Sequence, residues 1–381
     1  MGKHDPINPG PERAVRPAWA WTGEALVRAP VLAWAPDGTL LEDAGGLPVT
    51  DLPGLVLPGL INAHTHLELD AVGGPTGLGF LPWLRQLRAA TPPKAHVCGR
   101  NVYAAIDAGC AAVGEITNTG RSDAVLRAAR LRARVWVEFF GIDLDVPPAD
   151  PRLTAHAPHS THPAVIRAAA KRAREQGRTW SIHFDEDPQE AAFLRDGSGE
   201  WPAVMRASGR DLSAWAPPGL SPAKYLDAIG VLDNGALLVH AVCTGGDDMD
   251  LVAAAGATVC LCPRSNLHIG GRLPDVAGWV ARGVPLAIGT DSLGSSANLD
   301  PVADAAVLWR SFPDIDPAVW LRALTGGGAD ALAFPELGRL APGVAPGLVH
   351  VAIPETDRPI EALFQRSYPR RWLVGPQEYW A

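Results

Sequence analysis

From about residue 58 onward, apolar residues collect into short runs separated by longer amphipathic stretches. The runs are Gly59–His64, Cys110–Ile116, Ala133–Phe140, Leu153–Ala157, Thr179–Phe184, Ala236–Ala241, Thr258–Cys262 and Pro285–Thr290. Each is short and bordered by Gly, Pro or polar residues, as a buried strand is. Between them lie helical candidates: Pro163–Gln176, Leu251–Ala255 and Val276–Arg282. In the first, Ile166, Ala169, Ala170 and Ala173 share one face at three- and four-residue spacing. Eight such alternations over about 270 residues predict an α/β fold, a (β/α)8 TIM-type barrel over residues 58–337. The alternative, an open doubly wound sheet, wants a glycine-rich turn after its first strand. Asn62-Ala63-His64-Thr65-His66 stands there instead.

The flanks follow another pattern. Residues 16–57 hold short apolar runs broken by turns, with Ala33-Trp34-Ala35 ahead of Pro36-Asp37-Gly38 reading as a hairpin entry. After about residue 337 turns return, followed by the strand-like LVHVAI and RRWLVG. Residues 16–57 and 338–381 together predict a small discontinuous β-sandwich domain made by both termini. Residues 1–15 read as a loose polar tail. The stretch 187–224, with Trp201 and Trp215, is a long insertion at the expected barrel mouth, where such segments serve as lids or substrate walls.

Composition narrows the class. Of 381 residues 47 % are hydrophobic and 19 % charged, enough for a large core and too apolar for global disorder. The net charge of −8 argues against nonspecific nucleic-acid binding. Five cysteines, an odd number with no C-x-x-C pair, argue against a disulfide framework or a cysteine zinc site and suit a reducing cytoplasm. The first residues lack the apolar core of a signal peptide, and no membrane-spanning stretch is expected.

The chemistry collects where the apolar runs end. Run one ends in His64-Thr65-His66, run two is followed by Glu115 and Asn118, run four carries His156, run five ends in His183-Phe184-Asp185-Glu186, run six at His240 and run eight at Asp291. In a (β/α)8 barrel these strand ends converge on one mouth. On a strand, residues i and i+2 point the same way, so His64 and His66 can grip one ion. His183 and Asp291 complete an N3O set open to water, which suits one divalent metal: Zn²⁺ first, with Fe or Mn as alternatives. Such a metal brings the pKa of its water toward about 7. A His-x-His pair alone arises by chance; four candidate ligands, each at a strand end, do not arise so easily. Glu186 is placed to shuttle protons, although Asp185, Asp187 and Glu190 would also make it part of a solvated acidic loop. His240 and His156 alone would read as satisfied core histidines; their shared mouth favours a role in the site. Cys260 and Cys262 face the same way and read as small core hydrophobes. No nucleophile elbow, P-loop, dinucleotide fingerprint or C-x-x-C deaminase signature stands in its required context.

The segments LPGLINAHTHLELD, SIHFDEDPQE, LLVHAV, CPRSN and AIGTDS, in this order, resemble the metal-dependent amidohydrolase superfamily. More narrowly they resemble its branch of purine, S-adenosylhomocysteine, guanine and triazine deaminases and chlorohydrolases. The resemblance covers nearly the whole chain. It implies a metal set of His64, His66, His183 and Asp291, an acid/base Glu186, and an orienting His240. It also implies a substrate-contacting His156 in a motif that here reads His156-Ala157-Pro158-His159, with His159 where an aromatic residue is usual. Many relatives bridge two metals with a carbamylated lysine. Here only Lys3, Lys94, Lys171 and Lys224 occur, none at a strand end, which favours one metal.

EDPQEAAFLRDGSGEW, SPAKYLDAIGVL and Phe80-Leu81-Pro82-Trp83 resemble aminofutalosine deaminases of the menaquinone pathway. The resemblance therefore implies a small nucleoside-like substrate, with 6-amino-6-deoxyfutalosine leading. The chemistry implied is metal-hydroxide attack at the amine-bearing carbon, in which Asp291 takes a second proton. Deamination of adenosine, S-adenosylhomocysteine or guanine, cyclic-amide or halide hydrolysis, and a noncatalytic metal-binding barrel stay open. Arg264, Ser265 and Asn266 are expected either to read the ligand's polar tail or to cap a structural loop. A homo-oligomer is compatible with this fold, but no motif fixes one.

Overall fold

The computed structural model describes residues 13–90 and 96–375. Lys3, His4, Lys94 and most of the tail expected over residues 1–15 lie outside them, as does the end of the C-terminal segment, 376–381. Four strands come first: β1 (Ala14–Trp21), β2 (Leu26–Arg28), β3 (Leu32–Ala33) and β4 (Thr50–Pro58). Eight follow: β5 (Leu60–Thr65), β6 (Cys110–Thr117), β7 (Arg132–Phe139), β8 (Leu153–Ala155), β9 (Trp180–Phe184), β10 (Ala236–His240), β11 (Thr258–Leu261) and β12 (Leu286–Ile288). β13 (Leu348–Val351) and β14 (Arg370–Val374) close the series. Each of the eight predicted runs overlaps one strand of the middle group.

Those eight strands form two parallel four-stranded sheets, β5-β6-β7-β8 and β9-β10-β11-β12. Their outer strands are linked on both sides. Thr65, at the end of β5, bridges in parallel to Asp291 beyond β12. On the opposite side the His183 N–H of β9 donates to the His156 carbonyl beyond β8, at 2.9 Å. Most of these strands are fully buried and run largely apolar, whereas β7, with Arg132, Arg134 and Glu138, is partly exposed. Along β10, Leu237 and Val239 pack in one cluster with Ile61, Ala112, Trp136 and Ala287, while Leu238 packs in another with Ile182 and Val259. This two-residue alternation also places Cys260 and Cys262 together in the first cluster, fully buried, as small hydrophobes.

Backbones approach closely where β5 meets β6. A Cβ on Gly114 would lie 2.2 Å from the Ala63 carbonyl oxygen, inside van der Waals contact. Gly114→Ala is therefore expected to lower stability by about 1–3 kcal/mol, read as a fall in the urea midpoint. An unchanged midpoint would mean that the two strands separate there without cost.

The terminal strands form one six-stranded mixed sheet in the order β14-β13-β4-β1-β2, with β3 also on β1. β4 is parallel to β1 and antiparallel to β13, which joins the two ends of the chain. One face, with Trp21, Leu55, Leu57 and Val349, shares a core with Trp320, Leu321 and Phe364. Trp34 and Leu40 pack against Ala20, Val56 and Val374 on the other. Trp34 pairs with Leu40 across the predicted hairpin turn.

The helix Pro163–Glu175 lies where its spacing predicts. The helix predicted from Leu251 begins earlier, at Gly246, because Asp247 and Asp248 occupy its first turn. Acidic residues favour a helix N-terminus but carry no apolar period. The insertion 187–224 folds into helices Pro188–Asp196 and Trp201–Ala207, and Phe193 stacks on Trp215 at 4.1 Å. Phe193 and Trp201 pack with Leu81 and Ile142, which sets the insertion as a wall beside the strand ends. No helix among the described residues is long and apolar enough to cross a membrane.

Candidate active site

The C-terminal ends of the parallel strands bring the predicted residues together. His64 lies within β5, with His66 just beyond it. His183 lies in β9, and His240 is the last residue of β10. Asp291 follows β12 and is held there by the bridge to Thr65. His240, Asp291 and Asp185 all take left-handed backbone, with φ of 82°, 55° and 50°. Such positions cost about 1–3 kcal/mol each in non-glycine residues. Here they turn the chain off the strand ends and into the cluster.

The imidazoles crowd one another. His66 Nε2 lies 3.3 Å from His183 Nε2, and the His64 ring centroid is 5.0 Å from those of both His66 and His183. Asp291 Oδ1 lies 3.5 Å from His66 Nε2 and 3.8 Å from His64 Nε2. Ligand atoms of His64, His66 and Asp291 fall within 4.8 Å of one another, and so do those of His64, His183 and His240. His64 is fully buried, and neither of its ring nitrogens has a hydrogen-bond partner. A buried imidazole without a protein partner is costly unless another ligand serves it. The donor set is nitrogen-rich with one carboxylate, which fits a divalent transition metal.

Electrostatics separate the carboxyl groups. Burial opposes ionisation of Asp291, but the neighbouring His66, His240 and His64 outweigh it and hold its pKa well below the carboxylate range. Ser265 Oγ and Ser295 Oγ also donate to its Oδ2, at 2.6 and 2.7 Å. Glu186 shifts the other way: burial, then the charges of Asp291 and Glu190, push it well above the usual value. Two carboxyl groups with pKa values driven apart are suited to opposite proton roles. Burial lowers His64 and His66, and lowers His240 and His156 to about 3. His183 rises to about 9, because the Glu138 carboxylate 3.2 Å from its Nδ1 outweighs the opposing burial. The Nδ1 of His183 is also 3.0 Å from the His156 carbonyl, which turns Nε2 toward the cluster.

Glu138 was not among the residues singled out from the sequence. It is the lone acid near the end of the run Ala133–Phe140, and that position was the available signal. Burial opposes its charge, but His156 and His183 hold its carboxyl well below the usual range. Asn118 donates to it at 2.9 Å. Glu115 does not reach the cluster. Its carboxylate accepts the Leu67 N–H at 2.9 Å, which ties down the chain just beyond His66.

The segment after β11 divides. Asn266 Nδ2 donates to His240 Nδ1 at 2.9 Å, leaving the His240 proton on Nε2. Ser265 bonds Asp291, as above. Arg264 turns away from the cluster to Asp304, at 2.7 and 2.9 Å, and to Asn298 Oδ1 at 2.8 Å. Of the two expectations for these residues, Arg264 follows the loop cap, while Ser265 and Asn266 support side chains of the cluster.

A cavity of about 260 Å³ opens above the cluster. His66, His183, His240, Glu186 and Asp291 form its floor, and Phe80, Trp83, Phe140, His156 and Trp201 its walls. The His156 ring stands 5.5 Å from Phe140 and 5.0 Å from His183, with Nδ1 2.6 Å from Ser160 Oγ. Apolar aromatic walls over a polar floor suit a flat heteroaromatic ligand. Lys171 sits beside Glu175 on an outer helix, away from the cluster.

Comparison with known proteins gives the same picture. The amidohydrolase family model matches residues 55–370. The chain is 29% identical to an aminodeoxyfutalosine deaminase of Deinococcus radiodurans over 315 residues, 72% of each chain. It is also 29% identical to a 5-methylthioadenosine/S-adenosylhomocysteine deaminase of Nitratidesulfovibrio vulgaris over 330 residues, 76% of this chain and 69% of that protein. In fold it is similar to the crystal structure of Helicobacter pylori aminofutalosine deaminase, with a TM-score of 0.78 and 18% identity over 96% of this chain and 99% of the other. Such neighbours carry a TIM-barrel-type fold, and the paired parallel sheets agree with it. With the family model spanning most of its length, this chain belongs to the amidohydrolase family and is a hydrolase acting on C–N bonds.

Proposed function

We propose that this hydrolase is a metal-dependent deaminase of an aminopurine nucleoside, with 6-amino-6-deoxyfutalosine as its leading substrate. The observation that carries the reading is the pairing of Glu186, whose pKa burial raises, with Asp291, whose pKa the neighbouring imidazoles lower, beside His64, whose two buried ring nitrogens have no protein partner. The names of the two relatives favour nucleoside substrates, and the aromatic walls favour a purine ring. We take His64, His66, His183 and Asp291 as the holders of one divalent ion, Zn²⁺ before Fe or Mn. When bound, it supplies a nucleophile from water at neutral pH.

The chain's own residues do the rest. Phe80, Phe140 and Trp201 hold the ring between them. Glu186 delivers a proton to the ring nitrogen beside the amine-bearing carbon, which makes that carbon electrophilic. His240, its Nδ1 occupied by Asn266, donates from Nε2 to the oxygen that develops negative charge. Glu186 then takes one proton of the water in place of the one it gave, and Asp291 accepts the second and passes it to the amine, which leaves as ammonia while the ring keeps the new oxygen. We likewise read the two parallel sheets as one closed (β/α)8 barrel over residues 58–337, with 16–57 and 338–381 as a separate β domain. The five free thiols suit a cytoplasmic setting.

The test is ammonia release from protein of measured zinc content. The panel is 6-amino-6-deoxyfutalosine, 5-methylthioadenosine, S-adenosylhomocysteine and adenosine. Fastest turnover of the first supports the full reading. Preference for a thioether nucleoside moves the substrate toward that named for the second relative. Bound zinc with no ammonia from any member would overturn deamination in favour of cyclic-amide or halide hydrolysis. A protein with neither metal nor activity would be a noncatalytic barrel.

A further inference from the structure

The proton-carrying loop has a support that reaches across the cavity wall. Glu186 stands just after Asp185, whose φ of 50° lies outside the comfortable range for a non-glycine residue. Glu190, one helical turn on, holds this bend. Its Oε1 accepts the backbone N–H groups of Glu186 and Asp187, at 3.1 and 3.3 Å. Asp187 in turn caps the same helix by accepting the Gln189 N–H at 2.9 Å. The other oxygen, Glu190 Oε2, makes none of these bonds. It lies 3.3 Å from Nδ1 of His159, and both side chains are almost wholly buried, at 1 % and 4 % exposure.

His159 therefore does more than fill the place where an aromatic residue is usual. Its ring packs at 4.3 Å on Trp201, a wall of the cavity, and at 6.1 Å edge-on against His156, another wall. A plain aromatic ring would make both contacts, but it would offer no nitrogen to Glu190 Oε2, a buried oxygen without a hydrogen-bond partner that His159 Nδ1 meets as an ion-pair contact at 3.3 Å.

We propose that His159 and Glu190 act as a positioning pair that sets the reach of Glu186 into the cavity. His159 orients Glu190, Glu190 holds the two N–H groups of the bend, and the bend aims the carboxyl of Glu186. Neither residue lies on the cavity floor. The inference rests on Glu186 being the proton carrier. If it holds, the pair is felt in turnover and not in substrate binding, since misplacing a reacting group by an ångström costs about 10²-fold.

Three substitutions test it in the zinc-loaded enzyme, with kcat, KM, zinc content and melting temperature all read. His159→Phe keeps the ring on Trp201 and removes the nitrogen that faces Glu190 Oε2. It is expected to lower kcat by about tenfold or more, with KM, zinc content and melting temperature close to wild type. His159→Asn keeps a donor at the Nδ1 position and is expected to recover most of that loss. Glu190→Gln keeps an acceptor for the bend and removes the charge facing His159, so a fall in kcat alone is expected, and it serves if His159→Phe fails to fold. The proposal is overturned if His159→Phe retains wild-type kcat, if His159→Asn is as slow as His159→Phe, or if the loss follows zinc or melting temperature. Glu186→Gln in the same assay separates the two levels. Full turnover there removes the proton-carrier reading itself. A slow Glu186→Gln beside a normal His159→Phe removes only the positioning pair.

Discussion

Glu186→Gln is expected to reduce turnover by about 10²–10⁴-fold, the usual range for losing a general acid–base group. The amide is nearly isosteric with the carboxylic acid, so packing is retained. Glu186 is buried, and its charge is disfavoured first by that burial and then by Asp291 and Glu190. A neutral amide in its place relieves this cost, so the variant is expected to be at least as stable as wild type. Its Oε1 lies 3.7 Å from His240 Nδ1, and that site remains beside His240 and Asp291. Zinc content should therefore be unchanged while kcat collapses. Steady-state kinetics with metal analysis on the same sample checks both halves. A zinc-replete Glu186→Gln enzyme with near wild-type kcat would show that proton delivery belongs to another group, and the assignment would fall.

Removing the metal is expected to abolish activity and to lower the melting temperature together. A ligand that binds only the folded state adds about 4 kcal/mol when present at 1,000 times its dissociation constant. Without it, His64 keeps two buried ring nitrogens that have no protein partner, and His66 and His183 face each other at 3.3 Å. Chelation should thus register in calorimetry, independently of turnover, and added zinc should restore both signals. Asp291→Asn should weaken zinc retention, because it removes the one carboxylate of the set and the charge that balances His66 and His64. If zinc is shown to be gone and melting temperature and ammonia release are both unmoved, the metal reading is wrong.

The parts of this protein legible in the sequence are those set by local pattern. Two-residue alternation and short apolar runs give the strands, because a strand buried on both faces has to be apolar wherever helices cover it. The histidines at the ends of those runs were visible for the same reason. They interrupt an apolar pattern at its last position, as His240 does after Ala236–Val239. The pattern was silent where polar residues satisfy one another. Glu138 was not singled out, and β7 brings it 3.2 Å from His183. For Arg264 the sequence left a ligand contact and a loop cap open, and Asp304, forty residues later, holds its guanidinium. The early start of the helix at Gly246 was hidden by its acidic first turn.

By itself the sequence determined the eight apolar strand segments, three of the helices between them, and which side chains stand at strand ends. All of these follow from the period of the backbone. The tertiary structure alone decided which of those side chains meet, and with what consequences for their charge. Proximity across sheets depends on how β5 and β12, or β8 and β9, are brought side by side, and no local period encodes that. The same holds for the opposite shifts of Glu186 and Asp291. Both are carboxyl groups in the sequence, and only the surrounding burial, imidazoles and neighbouring acids shift one toward its protonated form and the other toward its ionised form.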